Sequence, residues 1–280
     1  MRQTPFEKIK THLSKELPLE FLRILPEKWE KIGSVLIIRL PDVLQQYKQR
    51  IGKVYAEVLG CSSTLNEYGK ISGVFRHPSV EVIFGSSMTE TIHSENGIRY
   101  KLDPQQIMFS SGNMSERLRM ARIAHRSETV VDLFAGIGYF TLPMAVYSQP
   151  KRIFACEINP VAYQYLCDNI VLNHVSDIVE PLLGDNRLIA PKDCADRVIL
   201  GYLQDSEEFL PVAFECLKNK TGVLHYHELV PCELIPTQPI DHLRRVAARY
   251  HRIVEVLQTE VIKSYAPTID HVVLDVRVAE

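Results

Sequence analysis

The 280-residue chain has no apolar run near the ~18–20 residues that span a bilayer, so a helical membrane anchor is not expected. Its opening stretch, MRQTPFEKIKTHLSKELP, lacks the apolar core of a secretory signal. Both absences point to the cytoplasm. The six cysteines contain no CxxC pair and no regular spacing, which argues against a zinc site or a disulfide framework. They read as buried or incidental thiols, and no metal is expected. There is no charge excess either: the net charge is −2, so any attraction to nucleic acid must come from a local patch. Internal repeats and low-complexity segments are also missing.

What remains is an ordinary apolar and charged content, 46% and 24%, over a length that suits one large α/β domain and a smaller one. Residues 1–104 read as a small α+β domain. Thr11 to Leu25 suggests a polar helix interrupted by Pro18, and SVLIIRL (Ser34 to Leu40) a buried strand. Asp42 to Leu59 has helical spacing, with Asp at its start and Gly60 after it. KISGVF, VEVIFG, TETIHS and GIRYKL, separated by turn residues, predict an antiparallel meander.

Residues 105–280 follow another rhythm. Met114 to Ala124 predicts a basic helix, Thr129 to Leu133 a strand, and Phe140 to Tyr147 a helix. Arg152 to Glu157 is a second strand, and Asn159-Pro160 opens the helix after it. Further strands at Val179–Leu183, Arg197–Leu200 and Gly222–His227 alternate with helical segments. This βαβα order predicts a parallel, doubly wound sheet. Val254–Lys263 and His271–Val278, joined by a Pro-containing turn, should close it as an antiparallel hairpin.

The chemistry concentrates in VVDLFAGIGYF, where a strand runs through Asp132 into a turn with Gly136 and Gly138. Glu157, nineteen residues past Gly138, ends the next strand and can accept from both hydroxyls of a ribose. After the third strand, Asp185 and Asn186 can address an adenine edge. A dinucleotide and S-adenosylmethionine both fit this plan. The second fits better, because Thr141 replaces the third glycine of the dinucleotide fingerprint. Asp132 would also repel a pyrophosphate while suiting the ammonium of a methionine arm.

DLFAGIGYF, CEINP, GDN, ADRVILGYL, VLHYHE and KSYAPTIDHVVLDVRV, in this order, resemble the anticodon-loop tRNA modification enzymes. That family holds the tRNA guanine-N1 methyltransferases of position 37 and the wybutosine-pathway aminocarboxypropyltransferases. The resemblance extends over almost the whole chain; SSGNMSER, HYHE and YAPTIDHVVLD are its specific parts. It implies an α/β fold: a seven-stranded, Rossmann-like class I methyltransferase domain behind the small N-terminal domain. It also implies a cofactor pocket lined by Ser110, Arg117, Glu157, Asp185 and Asn186, to which the loop adds Asp132, Phe134 and Gly136. An Arg fork at Arg117 suits the methionine carboxylate.

The two branches should differ at the end of the fourth strand. The methyltransferases carry an Asn-Pro-Pro or Asn-Leu-Pro type motif there, whereas this chain has Leu200-Gly201-Tyr202-Leu203, similar to the aminocarboxypropyl branch. The expected reaction therefore moves the 3-amino-3-carboxypropyl arm of S-adenosylmethionine to the tricyclic guanosine derivative at position 37 of tRNA(Phe), leaving methylthioadenosine; the alternative is guanine-N1 methylation. No catalytic residue stands out. His225 and His227 are read as pointing to opposite faces of their strand, so that at most one faces a site. For the anticodon arm, Arg119, Arg122 and Arg126 are expected to share a helical face that tracks phosphates. Arg244, Arg245, Arg249 and Arg252 form a second basic group.

Overall fold

The computed structural model describes residues 3–280, which divide into two compact units between Ser111 and Gly112. The first unit starts with α1 (Pro5–Leu13). Thr4 caps it through its side chain, and Glu7 returns a bond to the Thr4 N–H at 2.6 Å, a capping box worth about 0.5–2 kcal/mol. The expected helix from Thr11 to Leu25 is thus displaced. The capping signal TPFE starts it at Pro5 instead of Thr11, and Pro18 opens a separate turn, α2 (Leu19–Leu22).

Strands β1 (Glu30–Ile32), β2 (Val35–Ile38), β3 (Ser63–Glu67) and β4 (Val80–Gly85) form one sheet in that order. β2 and β3 are parallel, so a crossover joins them: a 3₁₀ turn at Asp42–Tyr47 and α3 (Lys48–Leu59), stopped by Gly60 at φ +66°. Ile9, Leu13, Leu36, Ile38, Leu44, Ile51 and Tyr55 are buried between helices and sheet. The predicted meander holds only in part. KISGVF is a turn bridged at Ser72 and His77, while the polar segment STLNE supplies the internal strand β3. Its Thr64 donates to the Gly52 carbonyl and its Asn66 accepts from the Leu40 N–H, so polar side chains are satisfied there. β5 (Thr91–Glu95) and β6 (Ile98–Leu102) form a separate hairpin through Asn96-Gly97, both at positive φ. Beyond it, Phe109 packs edge-on against Tyr100 and His93.

The second unit is built on a seven-stranded sheet. Its helices and strands are α4 (Met114–Met120), β7 (Thr129–Asp132), α5 (Thr141–Pro143), β8 (Arg152–Glu157), α6 (Pro160–Leu172), β9 (Val179–Leu183), α7 (Asn186–Ile189), β10 (Arg197–Leu200), α8 (Leu210–Cys216), β11 (Gly222–Pro231), α9 (Thr237–Arg249), β12 (Ile253–Ala266) and β13 (Ile269–Ala279). The order is β12-β13-β11-β10-β7-β8-β9. β9, β8, β7, β10 and β11 are mutually parallel, and β13 enters antiparallel between β11 and β12. The rhythm read from the sequence and its closing hairpin are both present. Val131, Val198, Leu200, Leu224, Phe214, Leu243, Leu274 and Val276 form the core, so the central strands β7, β10, β11 and β13 bury their apolar residues while β12 at the sheet edge buries none. Two helices are shorter than expected: α4 ends at Met120, and α5 passes into a π turn at Met144–Ser148. Among the described residues no helix is long and apolar enough to cross a membrane.

Candidate active site

Parallel strands bring their C-terminal ends to one edge, where the loops after β7, β8, β9 and β10 meet. The β7 loop is pinned to both neighbouring strands. Ala135 N donates to the Cys156 carbonyl at 2.9 Å, and Leu133 N donates to the Ile199 carbonyl at 3.0 Å. Gly136 (φ +57°) and Gly138 (φ +101°) lie in the left-handed region. A Cβ on Gly136 would stand 2.4 Å from the Tyr139 ring, so the turn tolerates no side chain there.

Glu157, the last residue of β8, faces this loop. One oxygen accepts from Gly136 N at 2.8 Å and the other from Asn159 N at 2.7 Å. Burial raises its carboxyl above the ordinary value, against these backbone bonds. Asp132 is fully buried. Its oxygens accept from Phe134 N at 3.2 Å and Thr141 Oγ1 at 2.7 Å, and burial lifts its carboxyl to about 6. The expected contact between Asp132 and an ammonium does not follow from this geometry. With no exposed surface, the carboxylate ties the loop to the first turn of α5. Thr141, which the sequence marked only as a missing glycine, is its partner.

Asp185 caps α7, accepting from Arg187 N at 3.0 Å, and pairs with the Arg187 guanidinium at 2.6 Å, which lowers its carboxyl. Asn186 is buried; Nδ2 donates to the Leu133 carbonyl at 2.8 Å, while Oδ1 has no hydrogen-bond partner. Phe134, partly buried, stacks on Tyr202 (centroids 5.0 Å, 14°) and meets Phe209 edge-on at 4.8 Å. This aromatic trio joins the β7 loop to the residues after β10. Phe209 was not among the residues singled out from the sequence, although two aromatics following Gly201 were a visible signal. Ser110 belongs to the first unit and Arg117 to the second, where it is buried on α4.

The expected phosphate-tracking face is not formed. α4 ends before Arg122, so helical spacing no longer relates the three arginines. Arg119 is turned inward: its guanidinium spans Glu116 (2.7 and 2.8 Å) and Asp275 (2.6 Å). Arg122 and Arg126 are exposed, and Arg126 donates to Gln149 at 2.9 Å. In the second basic group, Arg245 pairs with Glu207, and Arg252 donates to the Tyr250 carbonyl.

His225 and His227 also depart from expectation. Side chains alternate along a strand, so residues two apart share a face; the reading that separated them is corrected. Both are buried beside α4. His225 lies 2.6 Å from Asp275 and from Arg197, and His227 stands 3.0 Å from His271 and 3.9 Å from Glu116. Burial lowers all three imidazoles, His271 to about 4.

The strand-edge groups suit a nucleoside without a phosphate. A carboxylate offers about four lone-pair positions, so Glu157 keeps room for hydroxyl donors beside its backbone bonds. Asn186 Oδ1 is an acceptor lacking a donor, and the loop DLFAGIGYF has no Lys or Arg to meet a pyrophosphate.

Comparison with known proteins agrees with this chemistry. The model of the TRM5/TYW2 methyltransferase domain matches residues 91–257, and that of the TYW2 N-terminal domain matches residues 9–89. The tRNA(Phe) (4-demethylwyosine(37)-C(7)) aminocarboxypropyltransferase of Pyrococcus horikoshii is 45% identical over 97% of this chain and 96% of its own. The tRNA (guanine(37)-N(1))-methyltransferase Trm5b of Pyrococcus abyssi is 38% identical over 94% of this chain and 78% of its own. Among solved structures, P. horikoshii TYW2 in complex with MeSAdo is similar at a TM-score of 0.88, with 42% identity over 98% of each chain.

Proposed function

This chain belongs to the TRM5/TYW2 family, and on that premise we propose that it transfers the 3-amino-3-carboxypropyl group of S-adenosylmethionine to tRNA. The acceptor is the 4-demethylwyosine-type guanosine derivative at position 37 of tRNA(Phe), and methylthioadenosine is released. The observation that carries this reading is agreement along the whole chain with the aminocarboxypropyltransferase relative, including a TYW2-type N-terminal domain. The fourth-strand end, Leu200-Gly201-Tyr202-Leu203, supports it because it lacks the Asn and Pro of the methylating branch. Guanine-N1 methylation is the reading this disfavours, and the methyltransferase relative is also less similar.

When bound, S-adenosylmethionine supplies a sulfonium whose attached carbons are already activated. The protein's task is then to hold and orient. Glu157 accepts from the ribose hydroxyls, while Asp185 and Asn186 address the adenine edge. Gly136 lets the loop backbone come close, and Phe134 offers a flat apolar face. Asp132 keeps the loop in shape through Phe134 N and Thr141, and Arg117 is the candidate for the methionine carboxylate. Position 37 lies beside the anticodon, so the anticodon arm is the part of the tRNA that reaches the site. Arg122 and Arg126, both exposed, are candidates for its phosphates.

The test uses cofactor labelled separately in the methyl group and in the methionine carboxylate, incubated with tRNA carrying the tricyclic base. Carboxylate label should enter the tRNA, and the only cofactor product should be methylthioadenosine. Methyl label in the tRNA, with S-adenosylhomocysteine released, would promote the methyltransferase reading.

A further inference from the structure

The three most specific sequence motifs, SSGNMSER, HYHE and DHVVLD, are not used up by the site above. In the second unit they meet in one buried polar chain. On α4, Arg119 grips Glu116 with Nε and Nη2 at 2.8 and 2.7 Å. Its Nη1 and Nη2 reach Asp275 of β13 at 2.6 and 3.2 Å. Asp275 Oδ1 stands 2.6 Å from His225 Nδ1 on β11, and His225 Nε2 stands 2.6 Å from Arg197 Nη1 on β10. Arg197 closes the chain on Glu128, just before β7, at 2.8 and 3.0 Å. Glu116, His225 and Arg197 are almost fully buried. Arg197 can only donate, so His225 Nε2 must accept, and its Nδ1–H donates to Asp275. His225 is therefore neutral and has one tautomer, and every member has a defined direction.

Such a chain is an expensive way to gain stability. Taking charges out of water costs several kcal/mol per ion, and apolar side chains of similar volume often serve stability as well. What the chain does supply is register. Arg119 is held within α4 by Glu116 and reaches Asp275 with its planar fork, so α4 can neither rotate nor slide along β13 without breaking the two Arg119–Asp275 bonds. Arg117 lies between Glu116 and Arg119 on this tethered helix.

We propose that the chain Glu116–Arg119–Asp275–His225–Arg197–Glu128 is a positioning device that sets Arg117 for the methionine carboxylate of S-adenosylmethionine. Asp275 and His225 are then positioning residues that tune cofactor affinity without touching the cofactor. This rests on the reading above that Arg117 belongs to the cofactor site.

The test is a double-mutant cycle between Asp275→Asn and Arg117→Ala, with S-adenosylmethionine binding followed by calorimetry on the folded full-length protein. Asp275→Asn should lower affinity about tenfold when Arg117 is present and less than about twofold when it is absent, the coupling expected of residues in one network. His225→Gln keeps a donor and an acceptor in place. It should retain more affinity than His225→Leu, and it serves the same cycle if Asp275→Asn does not fold. An equal loss in both Arg117 backgrounds would mark a merely structural role and overturn the proposal, as would no loss in either. Wild-type affinity in Arg117→Ala would overturn it too, whatever the reaction. A wild-type protein that fails to bind S-adenosylmethionine would instead sink the functional reading itself.

Discussion

Glu157 and Gly136 are joined by a 2.8 Å hydrogen bond from the loop N–H to the carboxylate, so the group assigned to the ribose also holds the glycine turn. Removing it should loosen ligand and loop together. Glu157→Ala is expected to weaken S-adenosylmethionine binding by about 1.5–3 kcal/mol, and Glu157→Gln by less. Because burial raises this carboxyl, affinity should fall on acidification before an exposed carboxylate would protonate. Calorimetry giving wild-type affinity for the alanine variant would remove Glu157 from the site.

The arginines should separate by role. Arg122→Glu and Arg126→Glu should weaken tRNA binding and flatten its salt dependence, by about 0.9 in the log–log slope for each phosphate no longer neutralised. Arg119→Gln should leave that slope alone, because its guanidinium is committed to Glu116 and Asp275. Filter binding across a salt series measures both. A lower slope for Arg119→Gln would return it to the nucleic-acid surface.

Tyr202 stacks on Phe134 and meets Phe209 edge-on. Tyr202→Ala should cost about 0.5–1.5 kcal/mol of ring interaction beyond the effect of the area it buries, and Tyr202→Phe should cost almost none of it. If the trio shapes the acceptor side of the pocket, methylthioadenosine release should fall more than cofactor affinity does. Equal activity of the alanine variant and wild type would leave the trio a packing feature.

Burial, with Lys263 second, holds the His271 imidazole at about 4 against an ordinary 6.5. As pH falls below 6.5 the unfolded chain takes up a proton that the folded state refuses. The stability this site contributes is therefore complete above pH 6.5 and is lost on the way down towards pH 4. Urea unfolding at pH 7.5 and 4.5 should show His271→Leu losing roughly 2–3 kcal/mol less than wild type over that interval. Parallel losses would show that His271 titrates normally in the fold.

Much of the second unit was legible because its signals are local. Most of the buried strands carry a short apolar run, Asn159-Pro160 announces α6, and Gly136 and Gly138 mark a turn that has no room for a Cβ. Glu157 could be found from its distance along the chain after that turn, because β7 and β8 are neighbours in a parallel sheet. The first unit was less legible, since β3 is a polar strand whose Thr64 and Asn66 find hydrogen-bond partners only after folding.

The sequence by itself determined the alternation of strands and helices, the glycine turn with its acidic partner, and the family whose motifs the chain carries. The tertiary structure alone decided what the charged groups do. Arg119 looked like a surface arginine on a helix, but Asp275, 156 residues away, lies within 2.6 Å of it. His225 gains its tautomer from Arg197 on the neighbouring strand, and Asp132 gains its hydrogen-bond partner from Thr141. Periodicity reports which face of an element is apolar, whereas a buried ion is governed by the partner that folding brings to it. For Arg119 and His225 that partner is set by strand order, which no local pattern encodes.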